Sequence, residues 1–414
     1  MNSAKRNDEL SQRRTTFDAW LLPVALGWSL LMLGIGMILR GDASALRPLY
    51  NLSDPRVGPA GFGAFVGHAI LCGSDVRRRR VLRAGVVLEV LRMIAVLASG
   101  VPLDSALLST GYGFLAAALA DFLLSREWRY AFLTALVPIG MAAAPVGLGG
   151  LVRKLTPKTF DGALLALDAT FRVPFSKLIG ELFEIAPPIA ALSLISYAIL
   201  PGAIAAGLAY EEYNHRRGVT RGVGVNLLLA YAVSGTIAAL LYILCPATGP
   251  AHAFKSGFPS HLPDSSTVSL ILAPYAPLSP RNAMPSLHFG WGVLLARSTA
   301  GARRSVRLIA LSFAVMTAIA TIGSGEHYVL DLIAAVPFVV ALEAATARGN
   351  VSRRRRMALI SGVLLFGSWI ATVRSAPNTV PFFESNPALV WGLAVVTIVA
   401  CVAVALRNRD AHGF

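Results

Sequence analysis

Apolar runs of about twenty residues, broken by short polar or basic stretches, recur along the whole chain. Runs of that length suit α-helices crossing a hydrocarbon core about 30 Å thick. Inside such a core a backbone must satisfy its own hydrogen bonds, so helices or closed barrels are the only solutions. The alternating ten-residue segments of a membrane barrel are absent. Composition agrees: 55% of residues are hydrophobic and 14% charged, against about 25% charged in soluble domains. The expectation is an all-α integral membrane protein with about 12 transmembrane helices.

The predicted spans cover 19–39, 57–74, 81–101, 106–125, 130–152, 186–209, 224–245, 286–300, 307–323, 328–347, 357–373 and 388–406. A polar cytoplasmic N-terminus occupies 1–18. The run after it lacks a small-residue cleavage site and reads as a retained first span. Residues 153–185 mix charge with apolar residues at helical spacing, Leu164, Leu165 and Leu167 lying near Asp161 and Asp168. That segment is expected either to lie along the membrane surface as an amphipathic stretch or to form a capping subdomain.

The formal charge of +15 does not indicate nucleic acid, because the basic residues punctuate the apolar runs. With the N-terminus inside, twelve crossings place Arg77–Arg80, Arg126 and Arg129, Arg216 and Arg217, Arg303 and Arg304, Arg353–Arg356, and Arg407 and Arg409 on the cytoplasmic side. That is the positive-inside pattern, and it implies contact with anionic membrane lipids. The expected location is a plasma (inner) membrane, with both termini cytoplasmic.

Two polar clusters then fall together on the non-cytoplasmic face: Arg281-Asn282-Ala283-Met284-Pro285-Ser286-Leu287-His288 and Gly323-Ser324-Gly325-Glu326-His327-Tyr328-Val329-Leu330-Asp331. Polar side chains at membrane depth are costly and mark function by default. His327 and Asp331 are spaced i, i+4, which on a helix puts them on one face. A carboxylate there can fix the imidazole tautomer and leave the other ring nitrogen as nucleophile or base. Pro285 suits a first helical turn, whose free amides around Ser286 form an anion site. His288 on that turn could protonate a leaving oxygen. Read singly, each pattern is equally a polar pair closing a helix end.

Pro285-Ser286-Leu287-His288 followed by His327-x-x-x-Asp331 resembles the second and third motifs of the type 2 phosphatidic acid phosphatase (PAP2) superfamily. The fuller pattern, Met284 to Trp291 with Gly325-Glu326-His327-Tyr328, is most similar to its inositol phosphorylceramide synthase branch. Cys245-Pro246-Ala247-Thr248-Gly249-Pro250 resembles that branch's shortened first motif. The resemblance spans roughly 130–348. It implies a six-helix PAP2-like catalytic core there, with four extra helices over 19–129 and two over 357–406. It further implies His327 as the nucleophile that becomes a phosphohistidine, Asp331 as its orienting carboxylate, and His288 as acid and then base. No metal and no cofactor is implied.

The chain departs from the wider superfamily in lacking the Lys and Arg of the first motif, and in carrying Ala320-Thr321 in place of Ser-Arg. Phosphoryl oxygens still need stabilising. Arg281, Ser286 and Lys255 are the expected phosphate-binding residues, Arg281 foremost, with a lipid-headgroup anchor as its other reading. Glu326 reads as an exposed loop acid that could reach an acceptor hydroxyl. Glu89, Arg92 and Asp121 are either a headgroup pocket or structural pairs.

The expected activity is transfer of a phospho-headgroup, such as inositol phosphate, from a lipid to a lipid or glycan alcohol. Lipid or polyprenyl phosphate hydrolysis is the close alternative. A transporter, which twelve spans would also suit, lacks support from any internal repeat. A dead scaffold would not be expected to keep all three motif residues. Lipid phosphates and membrane lipids are the expected partners, and the oligomeric state stays open.

Overall fold

The structure is a computed structural model that describes residues 58–127, 151–216, 226–254, 258–259, 262–347 and 352–410, with Gly27 and Tyr130. The predicted first span and most of the fifth lie outside these residues. The chain divides into two compact units, Met1–Gly147 and Leu148–Phe414. The described residues are helical apart from loops and one isolated bridge pairing Thr159 with Leu272.

The first unit contains α1 (Gly58–Leu71), α2 (Asp75–Ala98), α3 (Leu103–Leu108) and α4 (Tyr112–Leu124). Ser74 caps α2 by accepting from the Arg77 amide. Two polar networks hold the unit, as desolvated charges require. Glu89 pairs with Arg92 at 2.6 Å, Arg92 reaches Ser109 and the Ala106 carbonyl, and the Gly113 amide donates to Glu89. Gly113 permits this approach, since a Cβ there would lie 2.3 Å from the Glu89 nitrogen. Asp121 meets His68 at 2.8 Å and Arg77 at 2.7 Å, and Arg77 also grips Glu127. Glu89, Arg92 and Asp121 are thus engaged in structural pairs. His68, unremarkable in the sequence, is fully buried among them.

The second unit contains α5 (Asp161–Ala169), α6 (Phe175–Ile185), α7 (Pro187–Ala198), α8 (Leu200–Arg216), α9 (Leu227–Leu244), α10 (Pro250–Ala253), α11 (Leu287–Ser298), α12 (Arg304–Gly323), α13 (Val329–Thr346), α14 (Arg353–Arg374), α15 (Ala376–Ser385) and α16 (Pro387–Asp410). At its centre α13 packs against α5, α9, α11, α14 and α16 and is buried along nearly its whole length. Trp291 of α11 donates to Ser234 of α9, while Tyr231 donates back to the Trp291 carbonyl. A part-buried ion pair, Arg297 with Glu343, ties α11 to α13. Outward faces carry unbroken aliphatic bands: Leu308, Ile309 and Leu311 on α12, Val363 and Leu364 on α14, and Val395, Val396 and Val399 on α16 are all exposed. Bands of that size would be an aggregation surface in water, and they suit a lipid environment.

The described residues support part of the expected twelve spans. Among the described residues five helices are long and apolar enough to cross a membrane: α9, α12, α13, α14 and Pro387–Val404 within α16. A sixth is reached if α6 and α7, bent by 113° at their junction, are one broken span. The reasons are local. The α1 and α4 helices run 14 and 13 residues, short of the roughly 20 a bilayer needs. The four arginines from Arg77, with Arg83, Glu89 and Arg92, make α2 too charged. The predicted span at 286–300 is a helix of only 12 residues. The predicted span at 186–209 is two helices, and α8 runs on to Arg216, past the predicted end of that span.

The segment 153–185 also departs from a surface-lying stretch in its first half. In α5, Asp161, Ala163, Leu164 and Leu167 are fully buried. Only α6 has the exposed, two-faced character expected there, with Leu178, Leu182 and Ile185 outward.

Candidate active site

Three loops and the start of α13 converge in the second unit. The Cys245–Pro250 loop joins the loop before α11 through the Ala283 amide, which donates to the Ala247 carbonyl at 2.9 Å. It joins the loop before α13 through the Ala251 amide, which donates to the Gly325 carbonyl at 2.9 Å. Gly249 makes the second junction possible. Its φ of +86° is a left-handed value that favours glycine, and a Cβ there would lie 2.1 Å from the Glu326 carbonyl oxygen.

The two histidine motifs run side by side. The Ser286 amide donates to the Asp331 carbonyl at 3.3 Å, and His327 Nδ1 lies 2.8 Å from the Ala283 carbonyl. A carbonyl can only accept, so Nδ1 carries the ring proton. Asp331 Oδ2 stands 3.4 Å from the same nitrogen and accepts from the Tyr328 amide at 2.8 Å. The Nε2 lone pair of His327 is thereby left for chemistry. The second Asp331 oxygen is buried without a hydrogen-bond partner among the described residues.

His288 lies on the first turn of α11, which Ser286 caps through its hydroxyl. The helix therefore starts just after Pro285 rather than at it. The His288 ring stacks on Tyr197 of α7 with centroids 4.3 Å apart, and its Nδ1 is 3.3 Å from the Tyr197 hydroxyl. Tyr197 is a contributor that the sequence reading missed. The available signal was faint, a single aromatic in the otherwise aliphatic α7.

Two further residues emerge from α5. Asp161 accepts from the Thr248 amide and hydroxyl, the Gly249 amide and the Tyr328 hydroxyl, each at about 3.0 Å. Asp168 accepts from the Val329 and Leu330 amides at 2.8 and 3.2 Å, so it caps α13 from outside the helix. One nine-residue helix thus clamps both the Cys245–Pro250 loop and the helix that carries Asp331. Their apolar neighbours made both acids look like the polar edge of a surface helix.

Burial, opposed by the two α13 amides and helped by the charge of Asp331, pushes Asp168 up to about 7. A carboxylate raised this way in the folded state contributes stability below its ordinary range, and that contribution is lost as pH rises through about 7. The melting temperature of the native protein should therefore fall between about pH 5 and pH 8, with a flatter slope in Asp168→Asn. Parallel slopes in thermal melts would refute the linkage.

The expected phosphate-binding residues fare differently. Arg281 is buried and its guanidinium faces carbonyls, Ser279 at 2.7 Å, Pro277 at 3.3 Å and Thr156 at 3.5 Å. It braces the loop before α11 instead of presenting a free fork to an anion. Ser286 is fully buried with its amide already given to Asp331, so the anion site expected at that amide is occupied by backbone. Lys255 lies outside the described residues. Ala320 and Thr321 are buried, and the Thr321 carbonyl accepts from both the Glu326 and His327 amides.

Glu326 is no free loop acid. Its carboxylate is 3.0 Å from His252 Nε2. Burial pushes it up, yet the His252 hydrogen bond and the charges of His252, His327 and His288 hold it below the ordinary carboxylate value. Among the described residues, no group of three or more His, Cys, Asp or Glu side chains comes together as a metal site would require.

Residues 162–345 match the family model of the PAP2 superfamily. The match begins beside Asp161 and takes in α5, the Cys245–Pro250 loop, His288, His327 and Asp331. It points to phosphatase or phosphotransferase chemistry on lipid phosphates. No curated protein and no solved structure matches the chain.

Proposed function

We propose that the chain moves a phosphoryl-bearing group from a lipid phosphate or phosphodiester through a phosphohistidine on His327, without a metal. The arrangement that supports this is the His327 ring, its Nδ1 proton facing Ala283 and Asp331 and its Nε2 without a hydrogen-bond partner among the described residues. In the first half, Nε2 attacks phosphorus and the bond to the first alcohol breaks. His288, taking up a proton together with the anionic substrate, gives its Nε2 proton to the departing oxygen while its Nδ1–H points at the Tyr197 oxygen. Asp331 offsets the positive charge that forms on the phosphorylated ring. In the second half, His288 takes a proton from the incoming hydroxyl, its oxygen bonds to phosphorus and the P–Nε2 bond breaks.

The acceptor is read as a lipid or glycan alcohol, with inositol phosphate as one group that could be carried, on the resemblance to the inositol phosphorylceramide synthase branch. Hydrolysis, with water as acceptor, shares the first half. Lys255 is the basic residue left for the phosphate oxygens, since Arg281 is engaged elsewhere. The site is assigned to the non-cytoplasmic face of an inner membrane from the charge pattern.

The test is to incubate the purified protein with a panel of lipid phosphates and phosphodiesters plus candidate alcohols, scoring hydrolysed and transferred products by mass spectrometry. Product is expected with and without EDTA. Absence of product across the panel refutes the reading. Activity lost to EDTA and restored by a divalent ion refutes metal independence.

A further inference from the structure

We propose that Glu326, fixed in place by His252, sets the charge of the phosphate that the site accepts, admitting singly charged phosphodiesters and turning away doubly charged monoesters. The proposal rests on the phosphoryl-transfer reading above and deepens it.

The placement of Glu326 is set by backbone, not by a flexible side chain. Its carbonyl packs on Gly249, where no Cβ fits, and the neighbouring Gly325 carbonyl takes the Ala251 amide. Gly325 itself has a φ of +72°, and a Cβ there would lie 2.8 Å from that of Ala251. The loops bearing His252 and Glu326 are therefore locked together before the side chains meet at 3.0 Å.

Glu326 also immediately precedes the nucleophile. Its charge interacts with those of His327 and His288, whereas the charges acting on His252 are those of Glu326 and Asp161. Glu326 is thus one residue from His327 in the chain, acts electrostatically on both reacting histidines, and is held by His252. One Glu326 oxygen takes His252. The other has no hydrogen-bond partner among the described residues.

An ionised carboxylate beside a phosphoryl seat repels each negative charge on the substrate. A monoester at neutral pH carries up to two charges and a diester one, so the acid penalises the monoester more. Of the basic residues expected to offset such an acid, Lys255 lies outside the described residues. Here Arg281 is engaged with carbonyls, and Ala320 and Thr321 offer no charge.

The test uses the full-length protein in detergent, with p-nitrophenyl phosphate as the doubly charged probe and bis(p-nitrophenyl) phosphate as the singly charged one. The readout is the diester-to-monoester ratio of kcat/KM. Glu326→Gln removes the repelling charge and should lower that ratio by about tenfold. His252→Gln keeps a hydrogen-bond donor but removes the balancing positive charge, so it should raise the ratio. A purely structural role predicts no such opposition, because loosening either loop would slow both probes together. Ratios that stay put, or that move in the same direction in both variants, overturn the proposal. If the native protein turns over neither probe nor any lipid of the panel above, the underlying transfer reading fails and takes this proposal with it.

Discussion

Replacing His327 by alanine should abolish phosphoryl release, lowering kcat by at least about 10⁴-fold. The protein should still purify as a folded species. The reason for so large an effect is that no other described imidazole shares this environment. His288 has Tyr197 on its Nδ1 and a ring stack behind it, which suits proton transfer. His252 is engaged with Glu326. Only His327 has a carbonyl that fixes its tautomer and a carboxylate on the same nitrogen. Asp331→Asn should fall between the native protein and His327→Ala, because the Ala283 carbonyl would still orient the ring while the charge that steadies the phosphorylated imidazole would be gone. The measurement is single-turnover release from the best substrate of the panel. Undiminished turnover in His327→Ala would remove the mechanism.

Asp161→Ala should destabilise the fold on the order of 3 kcal/mol, since orphaning buried donors costs about 1–3 kcal/mol each and partial relaxation recovers some of that. Three elements lose their acceptor at once: the Thr248 group, the Gly249 amide and the Tyr328 hydroxyl. Asp161→Asn keeps one oxygen and nearly the same shape, so it should lose less. The two effects can be read from thermal melts in a fixed detergent. Equal melting temperatures for the native protein and Asp161→Ala would show that the clamp contributes nothing.

The local geometry of the candidate site was legible in the sequence because its signals are local. The i, i+4 spacing of His327 and Asp331 is a property of one helix turn, and α13 begins where the polar cluster meets the apolar run. His288 on the first turn of α11 follows in the same way from Pro285 and Ser286. The roles of Arg281, Asp161, Asp168, His252 and Glu326 were not legible, because each depends on a partner in another segment. Arg281 looked like a free cation beside a motif, and its carbonyl partners Thr156, Pro277 and Ser279 became apparent only with the loop folded. Asp161 looked like the edge of a surface helix, and nothing local reveals that Thr248 lies 3.0 Å away. The span count, of which the described residues support a part, rests on a different kind of signal. Hydropathy windows merge helices that break, as at the junction of α6 and α7, and they cannot tell a short buried helix from a crossing one.

The sequence by itself determined the helical membrane character, the central apolar helix α13 and the identity of the three residues proposed for chemistry. Long apolar runs and one-turn spacings are enough for that, since they depend on the covalent order of the chain alone. The tertiary structure decided how those residues are held: which ring nitrogen bears the proton, and which charged groups are engaged by carbonyls and amides. Those properties are set by desolvation and by distances of about 3 Å between segments far apart in the chain, where a shift of an ångström breaks a hydrogen bond.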